Sequence, residues 1–132
     1  MKKELSIILP IFNERDSLPI MVRLLDSSIN FKKKIIIVYD SENDNAIDVA
    51  KDLANELEDV KLVHNKIAPG VRFAVESGVN KANYDIILIT AVDEIFPIIA
   101  IDKMISHLIK NDLDFLSGTR YSKGGIRLGG SI

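Results

Sequence analysis

The chain has 132 residues, 47% of them hydrophobic, with 17 basic against 19 acidic residues, a formal net charge of -2 and no cysteine. That length suits one compact core, and the near-neutral charge gives no electrostatic footprint for nucleic acid as a partner. The lack of cysteine excludes disulfides and thiolate metal sites and fits a cytoplasmic chain, while no apolar run approaches the roughly 18 to 20 residues that cross a bilayer. The start, MKKELSIILP, has too short an apolar stretch for a signal peptide.

In chain order, LSIILPIF (Leu5 to Phe12) is a short β-rich run ended by a proline. A helix follows NERDS: Asp16 or Ser17 can cap it, Pro19 fits its first turn, and Met21, Leu24 and Leu25 mark one face. KIIIVYD (Lys34 to Asp40) is a second apolar run closed by an acid. Asp44 can cap the next helix, in which Ile47, Ala50, Leu53, Ala54 and Leu57 recur at helical spacing. VKLVHN (Val60 to Asn65) reads as a third strand, and Val71, Ala74, Val75, Gly78, Val79 and Ala82 as a third helical face. DIILIT (Asp85 to Thr90) is a fourth strand, Ile98, Ile101, Met104, Ile105 and Leu108 a fourth helix, and LDFLSGT (Leu113 to Thr119) a fifth strand. The glycine-rich end, SKGGIRLGGSI, has no helix or strand pattern after Arg127 and reads as the end of a fragment of something longer.

Strands that alternate with helices imply right-handed crossovers and a mainly parallel sheet with helices on both faces. The strand runs are continuous rather than alternating, as strands buried on both faces should be. In such open sheets ligands bind outside the carboxyl ends of the strands. The rim therefore receives Asn13, Glu14 and Arg15 after the first strand, Asp40 after the second, Asn65 after the third, and AVDE (Ala91 to Glu94) after the fourth. A rim rich in carboxylates and poor in histidine suits a hard divalent cation, Mg2+ or Mn2+, shared with the phosphates of a substrate. Neither a P-loop nor a GxGxxG motif is present, so nucleoside triphosphate hydrolysis and dinucleotide binding lack their signatures.

Four stretches together resemble the family 2 glycosyltransferases of the GT-A fold. LSIILPIFNERDSLPIMVRLL is similar to the family's opening strand and loop, and IIIVYDSENDNAIDVAKDL to its second strand and helix. NKIAPGVRFAVESGVNKA resembles the third loop and helix, and SGTRYSKGG resembles a stretch of the polyprenyl-phosphate branch, which includes the dolichyl-phosphate mannose synthases. The resemblance implies an α/β, Rossmann-like GT-A core over 1–120, with 121–132 beginning an acceptor-side segment.

It also implies transfer of a sugar, with inversion, from a nucleotide-diphosphate donor to a lipid-phosphate or sugar acceptor, a polyprenyl phosphate being favoured, with Mg2+ or Mn2+ as cofactor. On that reading Pro10, Phe12 and Glu14 line the nucleoside pocket, Asp40 contacts the base or ribose, and Asp93 holds the metal and donor diphosphate. Arg120 faces phosphate, with Lys123 and Arg127 as weaker candidates, and a planar guanidinium fork suits that task. A lipid acceptor implies work at the inner face of the membrane with peripheral contact.

Some positions depart from the family pattern. Ala91 stands where the first Asp of the DXD signature is expected, Val92 is in the middle, and Tyr39 replaces the first Asp of the second-strand pair. Ser41 and Asn45 replace two loop glycines. These changes keep a second reading open, a non-catalytic GT-A-like binding or assembly domain with a degenerate metal site. Plainer roles stand beside the functional ones. Asp44 is better read as a cap, Glu14 equally serves a helix terminus, and Glu94 is a solvated loop acid. His64 and His107 read as ordinary, Phe31 and Phe96 as packing residues. Lys32 to Lys34 reads as a solvated loop, with anionic lipid as the functional alternative. An exposed sheet edge would favour a homodimer.

Overall fold

The computed structural model describes residues 4–95, 97–119, 123 and 124; Phe96, Arg120 and Arg127 lie outside the described residues. Its elements are β1 (Leu5–Pro10), α1 (Ser17–Ser28), β2 (Lys33–Tyr39), α2 (Ile47–Glu56), β3 (Val60–His64), α3 (Val71–Asn80), β4 (Ile86–Ile89) and α4 (Ile98–Lys110). The chain divides into two units, Met1–Ile99 and Ala100–Ile132.

In the first unit all four strands run parallel in the order β3-β2-β1-β4. β1 and β2 are central, and Leu5, Ile7, Leu9, Ile35 and Ile37 are wholly buried, which accounts for their continuous apolar runs. Pro10 closes β1 at the position paired with Val38, and pairing continues one step further where the Ile11 amide donates to the Val38 carbonyl at 2.9 Å. A proline is tolerated at such a strand end because little of the ladder lies beyond it.

The step from β3 to β4 passes back across β2 and β1, so a right-handed crossover places α3 on the sheet face opposite α1 and α2. On the α3 side, Ile8, Ile36, Val38, Val63 and Ala74 form one buried cluster, with Val79 and Ala82 packed against it. The buried face of α3 is small, Ala74, Ser77 and Gly78, which lets the helix lie close on the sheet. β4 carries an outer edge without a strand partner among the described residues, and its Ile87 and Ile89 are exposed.

The helix ends differ in part from expectation. Asp16 occupies the cap position of α1 but makes no side-chain cap hydrogen bond, and the Leu18 amide instead donates to the Glu14 carbonyl at 3.0 Å. Pro19 sits in the first turn, where its missing N–H costs nothing. The three lysines do not form a solvated loop. Lys33 begins β2, is buried, and donates to the Ile29 carbonyl at the end of α1 at 2.9 Å, a favourable place for a cation beside a helix C-terminus. Lys32 pairs with Glu4 and Lys34 with Asp59, so none of the three is an unengaged charge for lipid.

In the second unit the expected fifth strand does not form among residues 113–119, and Phe115 is 80% exposed. Strand propensity fixes a strand only when a neighbour pairs with it. α4 begins in the first unit, where its Ile98 is buried, and in the second unit its Ile101 and Ile105 are buried at helical spacing.

Candidate functional site at the carboxyl rim of the sheet

The loops after β1 and β2 are tied together by side chains. Asn13 has φ 53°, the left-handed region that asparagine tolerates better than most residues. Its amide donates to Asp44 Oδ2 at 2.9 Å, and its own Oδ1 accepts from the Asn45 amide at 3.1 Å. Asp44 Oδ1 accepts from the Ala46 amide at 2.8 Å, so one carboxylate both serves the start of α2 and fixes the β1 loop. Asn45 Oδ1 accepts from the Arg15 amide at 3.3 Å, and the Arg15 guanidinium pairs with Asp48. Ser41 Oγ accepts from the Asn43 amide at 3.1 Å. Ser41 and Asn45 thus each make a side-chain bond that glycine could not.

The β2 and β3 tips are joined more tightly. Asp40 Oδ1 accepts from Asn65 Nδ2 at 2.6 Å, and Oδ2 accepts from the Gly70 amide at 2.7 Å. Gly70, at φ 119° directly before α3, has the backbone freedom that this turn requires. Tyr39 and His64 stack with ring centroids 4.6 Å apart. The Tyr39 hydroxyl donates to Glu42 Oε1 at 3.1 Å, and His64 Nδ1 lies 3.3 Å from the same oxygen. His64 Nε2 lies 3.2 Å from the Asp40 carbonyl. Burial, then the Glu42 hydrogen bond, pushes the Tyr39 hydroxyl above its ordinary pKa. His64 is therefore part of a polar cluster on the rim, which the spacing of a single histidine in the sequence did not signal.

After β4 the chain makes a turn in which the Glu94 amide donates to the Ala91 carbonyl at 3.1 Å. Val92 is 1% exposed and anchors the turn, and this leaves Asp93 directed outward. Glu94 Oε2 accepts from Thr90 Oγ1 at 3.3 Å. Glu14 meets this turn electrostatically: its carboxyl is raised above the ordinary value first by burial and then by the negative charges of Asp93 and Asp44, against a lowering hydrogen bond from the Phe12 amide. Glu14, on the loop after β1, thus feels the charge of Asp44 on the loop after β2 and of Asp93 on the loop after β4. Phe12 beside them is 77% exposed, while Pro10 is half-buried. Asp40 faces the β3 side through Asn65 and Gly70.

No cluster of three or more carboxylate or histidine ligands suited to a metal ion occurs among the described residues. With Ala91 in the turn, Asp93 and Glu94 are its exposed carboxylates, and Glu14 is an acid whose carboxyl is raised by burial first and by neighbouring negative charge after it. That donor set fits an ion held by one or two carboxylates together with the phosphates of a substrate, which is how Mg2+ is commonly bound. Arg120 cannot be placed relative to it, being outside the described residues.

The parallel order β3-β2-β1-β4, with acids gathered at its carboxyl rim, is the fold of the GT-A glycosyltransferases. The profile of glycosyl transferase family 2 matches residues 6–129, and the chain belongs to that family. It is 30% identical over 123 residues to a dolichol-phosphate mannosyltransferase of Pyrococcus furiosus, covering 92% of this chain and 34% of that protein. It is 29% identical over 96 residues to an undecaprenyl-phosphate 4-deoxy-4-formamido-L-arabinose transferase of Yersinia enterocolitica, covering 69% and 29%. The chain thus spans about a third of the length of these relatives.

Among solved structures it resembles a mannosyltransferase of Pyrobaculum calidifontis in complex with GDP-Man and Mn2+. The TM-score is 0.71 at 18% identity, over 82% of this chain and 33% of that one. A second is the glucosyl-3-phosphoglycerate synthase of Mycobacterium tuberculosis in complex with Mn2+, UDP and glucosyl-3-phosphoglycerate. Its TM-score is 0.65 at 15% identity, over 81% and 39%. No helix among the described residues is long and apolar enough to cross a membrane.

Proposed function

We propose that this chain is the donor-binding part of a transferase that moves a sugar from a nucleoside diphosphate to a polyprenyl phosphate, with inversion, at the inner face of a membrane. The observation that carries the reading is the placement of Glu14 and Asp93 at the carboxyl rim, on the loops after the adjacent strands β1 and β4 of a family 2 fold. Relatives named for dolichol phosphate and undecaprenyl phosphate support the lipid acceptor. Neighbours solved with Mn2+ and GDP-Man or UDP support the donor class and a divalent ion.

In this reading Pro10, Phe12 and Glu14 border the nucleoside, and Asp40 borders its base or ribose. Asp93 would hold the ion, next to the diphosphate of the donor. A bound Mg2+ or Mn2+ would neutralise charge developing on the leaving diphosphate. An oxygen of the acceptor phosphate attacks the anomeric carbon from the face opposite the donor diphosphate. The carbon–oxygen bond to that diphosphate breaks, and the nucleoside diphosphate leaves with the electron pair. The attacking oxygen is already anionic, so no protein base has to remove a proton. Arg120 would face phosphate, and residues 121–132 would begin the acceptor side.

The test is calorimetric titration of GDP, UDP and their sugar conjugates into the chain, with and without Mn2+. Metal-dependent binding that Asp93→Ala weakens is expected; no nucleotide binding in either condition would overturn the reading. The single carboxylate left by Ala91 favours a second reading, a binding domain that kept the fold and lost the metal site. If Ala91→Asp creates metal-dependent donor binding that the parent chain lacks, this second reading stands.

A further inference from the structure

Asn65 is 5% exposed, follows β3 directly, and has every polar valence of its side chain used. Its Nδ2 donates to Asp40 Oδ1 at 2.6 Å and to the Ala68 carbonyl at 2.6 Å. Its Oδ1 accepts from the Ile67 amide at 3.0 Å and from Ser77 Oγ at 2.8 Å. Asp40 passes the connection on, because its other oxygen accepts from the Gly70 amide. One buried amide thus joins the tip of β2, the whole 66–70 loop and the second turn of α3.

The residue type follows from this geometry. Two donors and two acceptor sites on one short, planar side chain are what the position needs. Aspartate has no donor to offer Asp40 or the Ala68 carbonyl, glutamine reaches one carbon too far, and serine has too few groups.

We propose that Asn65 is a positioning residue for nucleotide binding, fixing the carboxylate of Asp40 and the loop before α3 in the arrangement that the nucleoside meets. The inference rests on the reading above that Asp40 borders the nucleoside, and extends it to a residue that touches no ligand. A preformed edge binds more tightly than one that must be ordered on each encounter, so loosening it weakens affinity without removing any direct contact.

The experiment titrates GDP and UDP, each with and without Mn2+, into the parent chain, Asn65→Ala and Asn65→Asp, at a temperature where circular dichroism reports each variant folded. Both variants are expected to bind at least about tenfold more weakly than the parent. The ratio of affinities with and without Mn2+ should stay at the parent value, because the Asp93 turn lies on another loop and shares no bond with Asn65. A purely structural role would lower the melting temperature and leave the affinity of the folded protein unchanged. Ser77→Ala removes one of the four bonds and serves if both Asn65 variants fail to fold; it should weaken binding by about threefold. Parent-like affinity in a folded Asn65→Ala, or in Ser77→Ala, overturns the inference and leaves the nucleotide reading intact. A parent chain that binds neither nucleotide overturns the nucleotide reading, and the inference with it.

Discussion

Replacing Gly78 by alanine tests how closely α3 is pressed on the sheet. A Cβ built at that position would lie 2.6 Å from Ile8 Cγ2 and 3.1 Å from Val38 Cγ2. The Ile8 methyl sits on a branched Cβ in a wholly buried central strand, so it has no free rotamer to move into. Overpacking of this kind costs about 1 to 3 kcal/mol, while exchanging glycine for alanine inside a helix returns about 1 kcal/mol. The expected net effect is a loss of about 1 kcal/mol, read as a fall in melting temperature of about 3 to 6 °C in a chain of this size. Urea denaturation followed by circular dichroism measures it.

The decisive comparison repeats the substitution in an Ile8→Ala background. That variant by itself should lose about 2 to 5 kcal/mol, but the space it leaves admits the new methyl. Gly78→Ala should then become neutral or stabilising. An equal loss in both backgrounds, or a gain in the parent chain, would refute the claim that Ile8 sets the approach of α3.

Removing Asp44 by alanine deletes the bonds from the Asn13 and Ala46 amides, and denaturant midpoints should report a loss of about 1 to 2 kcal/mol. Asn13→Gly should cost less than Asn13→Ala, because both lose the bond to the Asn45 amide but only alanine also strains the positive φ. The Glu14 carboxyl lies above its ordinary value of 4.5 in the folded chain, so the folded state holds that proton more tightly. The stabilisation this gives is full below the unfolded pKa and is lost as pH rises through the folded one. Glu14→Gln should flatten that decline in denaturation curves taken from below 4.5 upward. Asp93→Asn should bring the Glu14 carboxyl part of the way back toward 4.5 in an NMR titration, since burial and Asp44 remain.

Much of this molecule is written in its local sequence. The apolar runs of β1 to β4 and the helical stripes of α1 to α4 follow from side-chain periodicity, and their alternation implies a parallel sheet with Glu14, Asp40, Asn65 and Asp93 after its strands on one rim, while the order β3-β2-β1-β4 comes from the structure. The family was legible for the same reason, because its motifs are short and lie where strands end. Pairing decided what periodicity could not. LDFLSGT has strand composition, yet residues 113–119 form no strand, and Lys33, charged and beside two other lysines, is buried because a helix carbonyl receives it. The Asn65 hub and the Tyr39, Glu42 and His64 cluster escaped sequence reasoning because their partners lie many residues apart and meet only when strands align. A sequence states which groups each loop carries. Which of them share a proton, a hydrogen bond or a repulsion is decided by the register and packing that bring the loops together.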